Sequence, residues 1–136
     1  MAQIAKTKDL PLLIRHEIGE TIRLEAELKL TEHLPAVNNL SLLLIYSDYI
    51  SDTHAHNIAS SMRESDILIP SSKHLVCLLP GTDKEVAIHL AEGMKDFLSE
   101  EGYYSVVTYP EDGETYEELM ESLRVYLKNK GKTLPW

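Results

Sequence analysis

One cysteine, one tryptophan and one phenylalanine occur in 136 residues. The lone Cys77 can form no internal disulfide, and its place in an apolar run reads as a buried structural thiol, not a nucleophile. Positive charge is short: 13 Lys and Arg stand against 22 Asp and Glu, a formal net charge of −9. That balance argues against DNA or RNA as the main partner and against an anionic membrane surface, since both need clustered cations. No stretch approaches the length of an apolar membrane span. The opening residues MAQIAKTKDL form no apolar leader, so the expected location is the cytoplasm. No Ser-His-Asp or Cys-His nucleophile arrangement is evident, and no cofactor is implied.

What is present suits one globular domain over 1–136, with 43% apolar and 26% charged residues. The organising stretch is SDILIPSSKHLVCLLPGT, Ser65 to Thr82. Two apolar runs flank the polar break Pro70-Ser71-Ser72-Lys73-His74 and predict a hairpin of buried strands, about 65–69 and 74–79, with an exposed tip. Ahead of it, residues 1–8 read as a short tail. Leu10, Leu13, Ile14, Ile18, Ile22, Ala26 and Leu28 recur at helical spacing and predict a helix over 10–33, with Asp9 as cap and Pro35 ending it. LSLLLIY, Leu40 to Tyr46, is fit for a central strand buried on both faces. Asp52 or Thr53 can cap a short helix carrying Ile58, Ala59 and Met62.

After the hairpin, Thr82-Asp83-Lys84-Glu85 matches a capping box. The stripe Val86, Ala87, Leu90, Ala91, Met94, Phe97 and Leu98 predicts a helix over about 83–100, closed by Gly102. YYSVVTY, Tyr103 to Tyr109, is a strand by its β-branched and aromatic content. A second capping box, Thr115-Tyr116-Glu117-Glu118, opens a last helix to about 129, with Gly131 past its end. The order is a leading helix and then β-α-β-β-α-β-α over 40–131. That is an α+β, ferredoxin-like fold: an antiparallel four-stranded sheet with an added N-terminal helix.

LSLLLIYSD, RESD, the hairpin ending in LVCLLPGT, AIHLAEGM and YPEDGETYEEL follow one another in an order and at a spacing that resemble the GGDEF domain of diguanylate cyclases. The resemblance covers about residues 10–131. It implies a signalling domain whose active members condense two GTP into cyclic di-GMP. It also implies that the Gly-Gly-Asp/Glu-Glu-Phe signature falls here on Ser71-Ser72-Lys73-His74-Leu75, and that Tyr46 stands where the family's first-strand metal aspartate belongs. Mg²⁺-assisted phosphoryl transfer needs carboxylates to hold the metal, and Lys73 repels it. The expectation is therefore a catalytically inactive module, not an enzyme.

Arg63-Glu64-Ser65-Asp66 falls where the family has its Arg-x-x-Asp product-binding site, one residue nearer the tip. Arg63 and Asp66 are thus the nucleotide-binding candidates, a guanidinium fork for phosphate and an acceptor for guanine N–H groups. Their plain alternative is a solvated helix end and strand start. Asp48, Asp52, His54, His56 and His74 could surround the ancestral metal site, as imidazole and carboxylate suit a transition metal. Against that, His54 and His56 diverge on a helix and Lys73 sits among them, so no metal is expected. Lys73 and His74 could also serve as an anion site or an acid–base pair, although hairpin tips are commonly just exposed. For partners, the long first helix offers a surface for a second copy, and cyclic di-GMP is the candidate small ligand.

Overall fold

The computed structural model describes residues 1–28 and 38–136. The elements are β1 (Gln3–Ile4), α1 (Leu10–Leu28), β2 (Leu40–Tyr46), α2 (Asp52–Ser60), β3 (Ile67–Pro70), β4 (His74–Pro80), α3 (Lys84–Leu98), β5 (Tyr103–Tyr109) and α4 (Tyr116–Asn129). The predicted helix tail at 29–33 and Pro35 lie outside the described residues.

The strands form one sheet in the order β1-β3-β4-β2-β5. β2 pairs antiparallel with β4 from Leu40↔Pro80 to Tyr46↔His74, and with β5 from Leu40↔Tyr109 to Tyr46↔Tyr103. Side chains alternate across a strand, so the apolar run divides between two cores. Leu40, Leu42 and Leu44 meet Ile14 and Ile18 of α1 and Leu119 and Leu123 of α4 on one face. Leu43 and Ile45 meet Ala55 and Ile58 of α2 and Ala87 and Ala91 of α3 on the other. The mixed α+β architecture expected from the sequence is therefore present, with α2 and α3 on one face and α1 and α4 on the other. Cys77 is fully enclosed in the second core, and burial raises its thiol well above the ordinary range.

Residues 1–8 are not a frayed tail. Gln3 and Ile4 form a fifth strand, parallel to β3 beside Ile67 and Leu68. Ala2 N–H donates to Ala59 O at 2.9 Å and Ala5 N–H to Leu68 O at 2.8 Å. A two-residue strand carries too short a pattern to be read from alternation. The α1 stripe is also narrower than its spacing suggested. Leu10, Ile14, Ile18 and Thr21 are buried, while Ile22 and Ala26 face outward.

Helix ends show where side chains were already committed. Ser51, not Asp52 or Thr53, caps α2 by accepting from His54 N–H at 3.0 Å. Asp83, not Thr82, caps α3 by accepting from Val86 N–H at 2.9 Å. Thr82 is spent elsewhere: its hydroxyl accepts from Arg63 and its carbonyl accepts from Ser41 Oγ at 2.7 Å. Thr115 caps α4 as its capping box predicts. The α3 helix ends at Ser99 in extended backbone, so Gly102 is not its left-handed cap. Gly102 serves a different need, because a Cβ there would lie 2.2 Å from the Tyr46 carbonyl oxygen.

Asp112 joins the loop after β5 to two helices. It accepts from Lys84 Nζ (2.7 Å to Oδ2), Tyr126 Oη (2.5 Å) and Thr108 N–H (2.8 Å). Burial alone pushes this carboxyl upward, but the bonds from Lys84, Tyr126 and Thr108 outweigh it and hold the group below the ordinary carboxylate range.

Two outcomes follow from these contacts. Gly102→Ala loses about 1–3 kcal/mol in urea unfolding, because the backbone of β2 blocks the added methyl. Asp112→Asn loses about 2–3 kcal/mol at neutral pH. A depressed carboxyl contributes its stability above its unfolded pKa and loses it as pH falls through the folded value. The native protein therefore weakens below about pH 4, and the variant shows a flatter acid limb in pH-dependent unfolding.

Candidate functional site

The β2–β4 register brings the end of β2 beside the hairpin tip, as Tyr46 pairs with His74. Ser71 closes the tip: its N–H donates to His74 O at 2.8 Å, and its hydroxyl accepts from His74 N–H at 3.1 Å. The segment after β2 then clasps the tip from the side. Ser47 N–H donates to Lys73 O at 3.0 Å and Ile50 N–H to Ser72 O at 2.8 Å. Both tip carbonyls are thus engaged by the protein itself. Ser71, Ser72 and Lys73 present their side chains to solvent, while His74 is half-buried. Burial, with the neighbouring Lys73 charge, lowers the His74 pKa below its ordinary value.

Tyr46 stacks on Tyr103 with centroids 4.9 Å apart and planes 9° apart, and its ring lies 5.5 Å from that of His74. Lys132 sits over the Tyr103 ring at 5.0 Å. Asp48 accepts from Tyr46 Oη at 3.3 Å. This end of the sheet offers a single carboxylate, Asp48, among hydroxyls, an imidazole, an ammonium and an aromatic pair. That donor set does not fit hard Mg²⁺ ions, which take oxygen ligands dominated by carboxylates.

The other polar candidates diverge. His54 sets its ring edge-on to Phe97 at 5.8 Å, with Nδ1 buried and without a hydrogen-bond partner among the described residues. His56 lies on the exposed part of α2, and Asp52 is in that helix's first turn. With Asp48 turned to Tyr46, no group of three His, Cys, Asp or Glu side chains among the described residues is placed to hold a metal.

Arg63 and Asp66 lie at the opposite end of the sheet, where α2 gives way to β3. They meet each other. Asp66 is 4% exposed and accepts from Arg63 N–H at 3.0 Å, Nε at 3.3 Å and Nη2 at 2.8 Å. Nη2 also donates to Pro80 O at 2.7 Å and to Thr82 Oγ1 at 3.1 Å. The guanidinium therefore ties the start of β3 to the turn between β4 and α3. Its other amino group, Nη1, bonds to none of the described residues.

Both residues border a groove of about 780 Å³ between α2 and α3. Its apolar wall is the outer half of the α3 stripe. Val86, Leu90 and Phe97 belong to the predicted stripe, yet they are 50%, 39% and 54% exposed. Ala87 and Ala91 alone take the fully buried line against the sheet. Sequence reasoning missed this groove, although the stripe's width signalled it. At 100° per residue the seven positions cover an arc of about 140°, more than one sheet contact requires.

No protein-family model matches the chain, and no curated protein matches it in sequence. Solved structures do. A sensory box/GGDEF family protein from Caulobacter crescentus superposes with a TM-score of 0.63 at 16% identity, over 91% of this chain and 90% of that one. The GGDEF domain of YfiN (or TpbB) from Pseudomonas aeruginosa gives 0.62 at 17% identity, over 95% and 92%. The chain has the fold of a GGDEF domain. Within this GGDEF-like fold the hairpin tip and the Arg63–Asp66 pair occupy opposite ends of β4, so they are separate sites.

The Arg63 contacts set an expectation for stability. Arg63→Ala strands a buried carboxylate and frees the β4–α3 turn. Chemical denaturation then shows a loss of about 1–3 kcal/mol, most of it recovered when Asp66→Asn is added.

Proposed function

We propose that the chain is a catalytically inactive GGDEF-like module that acts in signalling through contacts with other proteins. The observation that carries this reading is the stack of Tyr46 on Tyr103 beside His74. Tyr46 is the residue that the family resemblance sets in place of the metal-binding aspartate. Lys73 is the one it sets in place of a signature carboxylate. Phosphoryl transfer of this kind depends on positioning and on neutralising phosphate charge through metals. An aromatic pair and an ammonium in place of two carboxylates supply neither metal ligand. The clasped tip supports the same reading, because Ser72 and Lys73 carbonyls already serve Ser47 and Ile50.

Association with a second copy through α1 belongs to this proposal. The helix buries Leu10, Ile14 and Ile18 on its own sheet, which leaves Leu12 and Ile22 among its outward apolar residues. Incubation with GTP and Mg²⁺ tests the inactivity. Analysis of the products is expected to show no cyclic di-GMP, and turnover above a no-protein control would overturn the proposal.

A second reading, a receptor for cyclic di-GMP or another guanine nucleotide, is favoured by Arg63 Nη1, a charged donor without a protein partner among the described residues. Asp66 counts against it, since both of its oxygens already accept from Arg63. Calorimetric titration with cyclic di-GMP and GTP separates the two readings. Heat in the micromolar range that disappears in Arg63→Ala/Asp66→Asn supports the receptor. A flat titration supports the first reading.

A further inference from the structure

The α2–α3 groove has a built shape. Its volume of about 780 Å³ falls within the range of small-molecule sites. Ile58, Met62, Val86, Leu90, Met94 and Phe97 give it apolar walls, two of them thioethers that adapt to a guest. Large side chains exposed at this level on one face call for a guest or partner. Gly93 stands among them on α3, and a Cβ built there meets nothing within 4 Å. Glycine weakens a helix interior and no neighbour here demands it, so its effect is to keep the groove open in its middle.

The polar end is equally specific. Arg63 borders the groove near the start of α3, fixed by Asp66, Pro80 O and Thr82, with Nη1 left over. Asp83 is nearby, with Oδ1 turned to Val86 N–H. Among the described residues Arg63 is the only Lys or Arg lining the groove, and Asp66 and Asp83 line it too, so a polyphosphate finds too few cations and too much negative charge there. From Val86 to Phe97 the helix advances roughly 16 Å, long enough to take an extended ten- to twelve-carbon chain.

We propose that this groove binds a single-chain amphiphile with a carboxylate head, of the medium-chain fatty-acid class, its chain along α3 over Gly93 and its head on Arg63 Nη1. The proposal goes beyond the signalling role and does not rest on it, since the hairpin tip takes no part. A guest here would cover Val86, Leu90 and Phe97 and join α2 to α3.

Decanoate and 1-decanol, each below its aggregation limit, are titrated calorimetrically into the protein and two variants. Gly93→Phe places a ring in the open middle of the groove, and Arg63→Gln/Asp66→Asn removes both charges together. Native protein is expected to bind decanoate at least tenfold more tightly than 1-decanol. Gly93→Phe is expected to weaken decanoate at least tenfold while its thermal midpoint is kept or raised. The double variant is expected to bring decanoate down to the level of decanol. Absence of decanoate binding to the native protein overturns the proposal, as does binding that Gly93→Phe leaves intact. Equal affinity for acid and alcohol overturns the role of Arg63. Sedimentation completes the test: a native dimer that Gly93→Phe converts to monomer would make the groove an interface between copies and end the proposal. The cyclase assay and the nucleotide titration can fail independently of every one of these outcomes.

Discussion

Strand β2 has no face turned to water, and the rest of the molecule follows from that constraint. Six of its seven residues are buried, and all seven pair with β4 on one side and β5 on the other. A strand so placed must satisfy its backbone entirely through its neighbours, which fixes their register to the residue. The register then sets which groups share the two ends of the sheet. At one end it sets Tyr46 beside both His74 and Tyr103. At the other, Ser41 hydroxyl reaches Thr82 O at 2.7 Å and Thr108 Oγ1 at 2.9 Å, so even the polar residue of the strand is bonded. A one-residue slip would exchange the two cores and strand that hydroxyl.

The long elements were legible because their signals were local. LSLLLIY could hardly be anything except a central strand, and the β-branched run of YYSVVTY and the Thr115 box speak for themselves. What escaped depended on distant partners. Thr82 looks like a helix cap until Arg63 and Ser41 claim both of its polar groups from 19 and 41 residues away. Gly102 looks like a helix terminator until the Tyr46 carbonyl is set against it. Strand β1 is visible only through the bonds that Ala59, Asp66 and Leu68 offer it.

The polar sites show the same division. That the end of β2 and the hairpin tip would be neighbours could be inferred from the order of elements. That Arg63 and Asp66 would face each other, and not open solvent, could not, since a four-residue motif says nothing about the rotamers it adopts. The α3 stripe was read as one surface, yet it is two: alanines that let the helix lie close on the sheet, and larger residues beside them that the sheet cannot reach. Size, not hydrophobicity, separates the packed line from the open one.

The outer strand β5 carries one more consequence. Thr108 N–H is held by the Asp112 carboxylate and Tyr104 O by Lys130 Nζ, so an approaching strand would meet backbone groups already taken and a lysine in its way. The opposite border, β1, is two residues long. Short borders and lysine-guarded ones both resist pairing with a foreign chain. Among the described residues both margins of the sheet are therefore guarded in part, which disfavours pairing edge to edge. The surface left open to contact is helical, where side-chain shape, and not a bare backbone ladder, decides what fits.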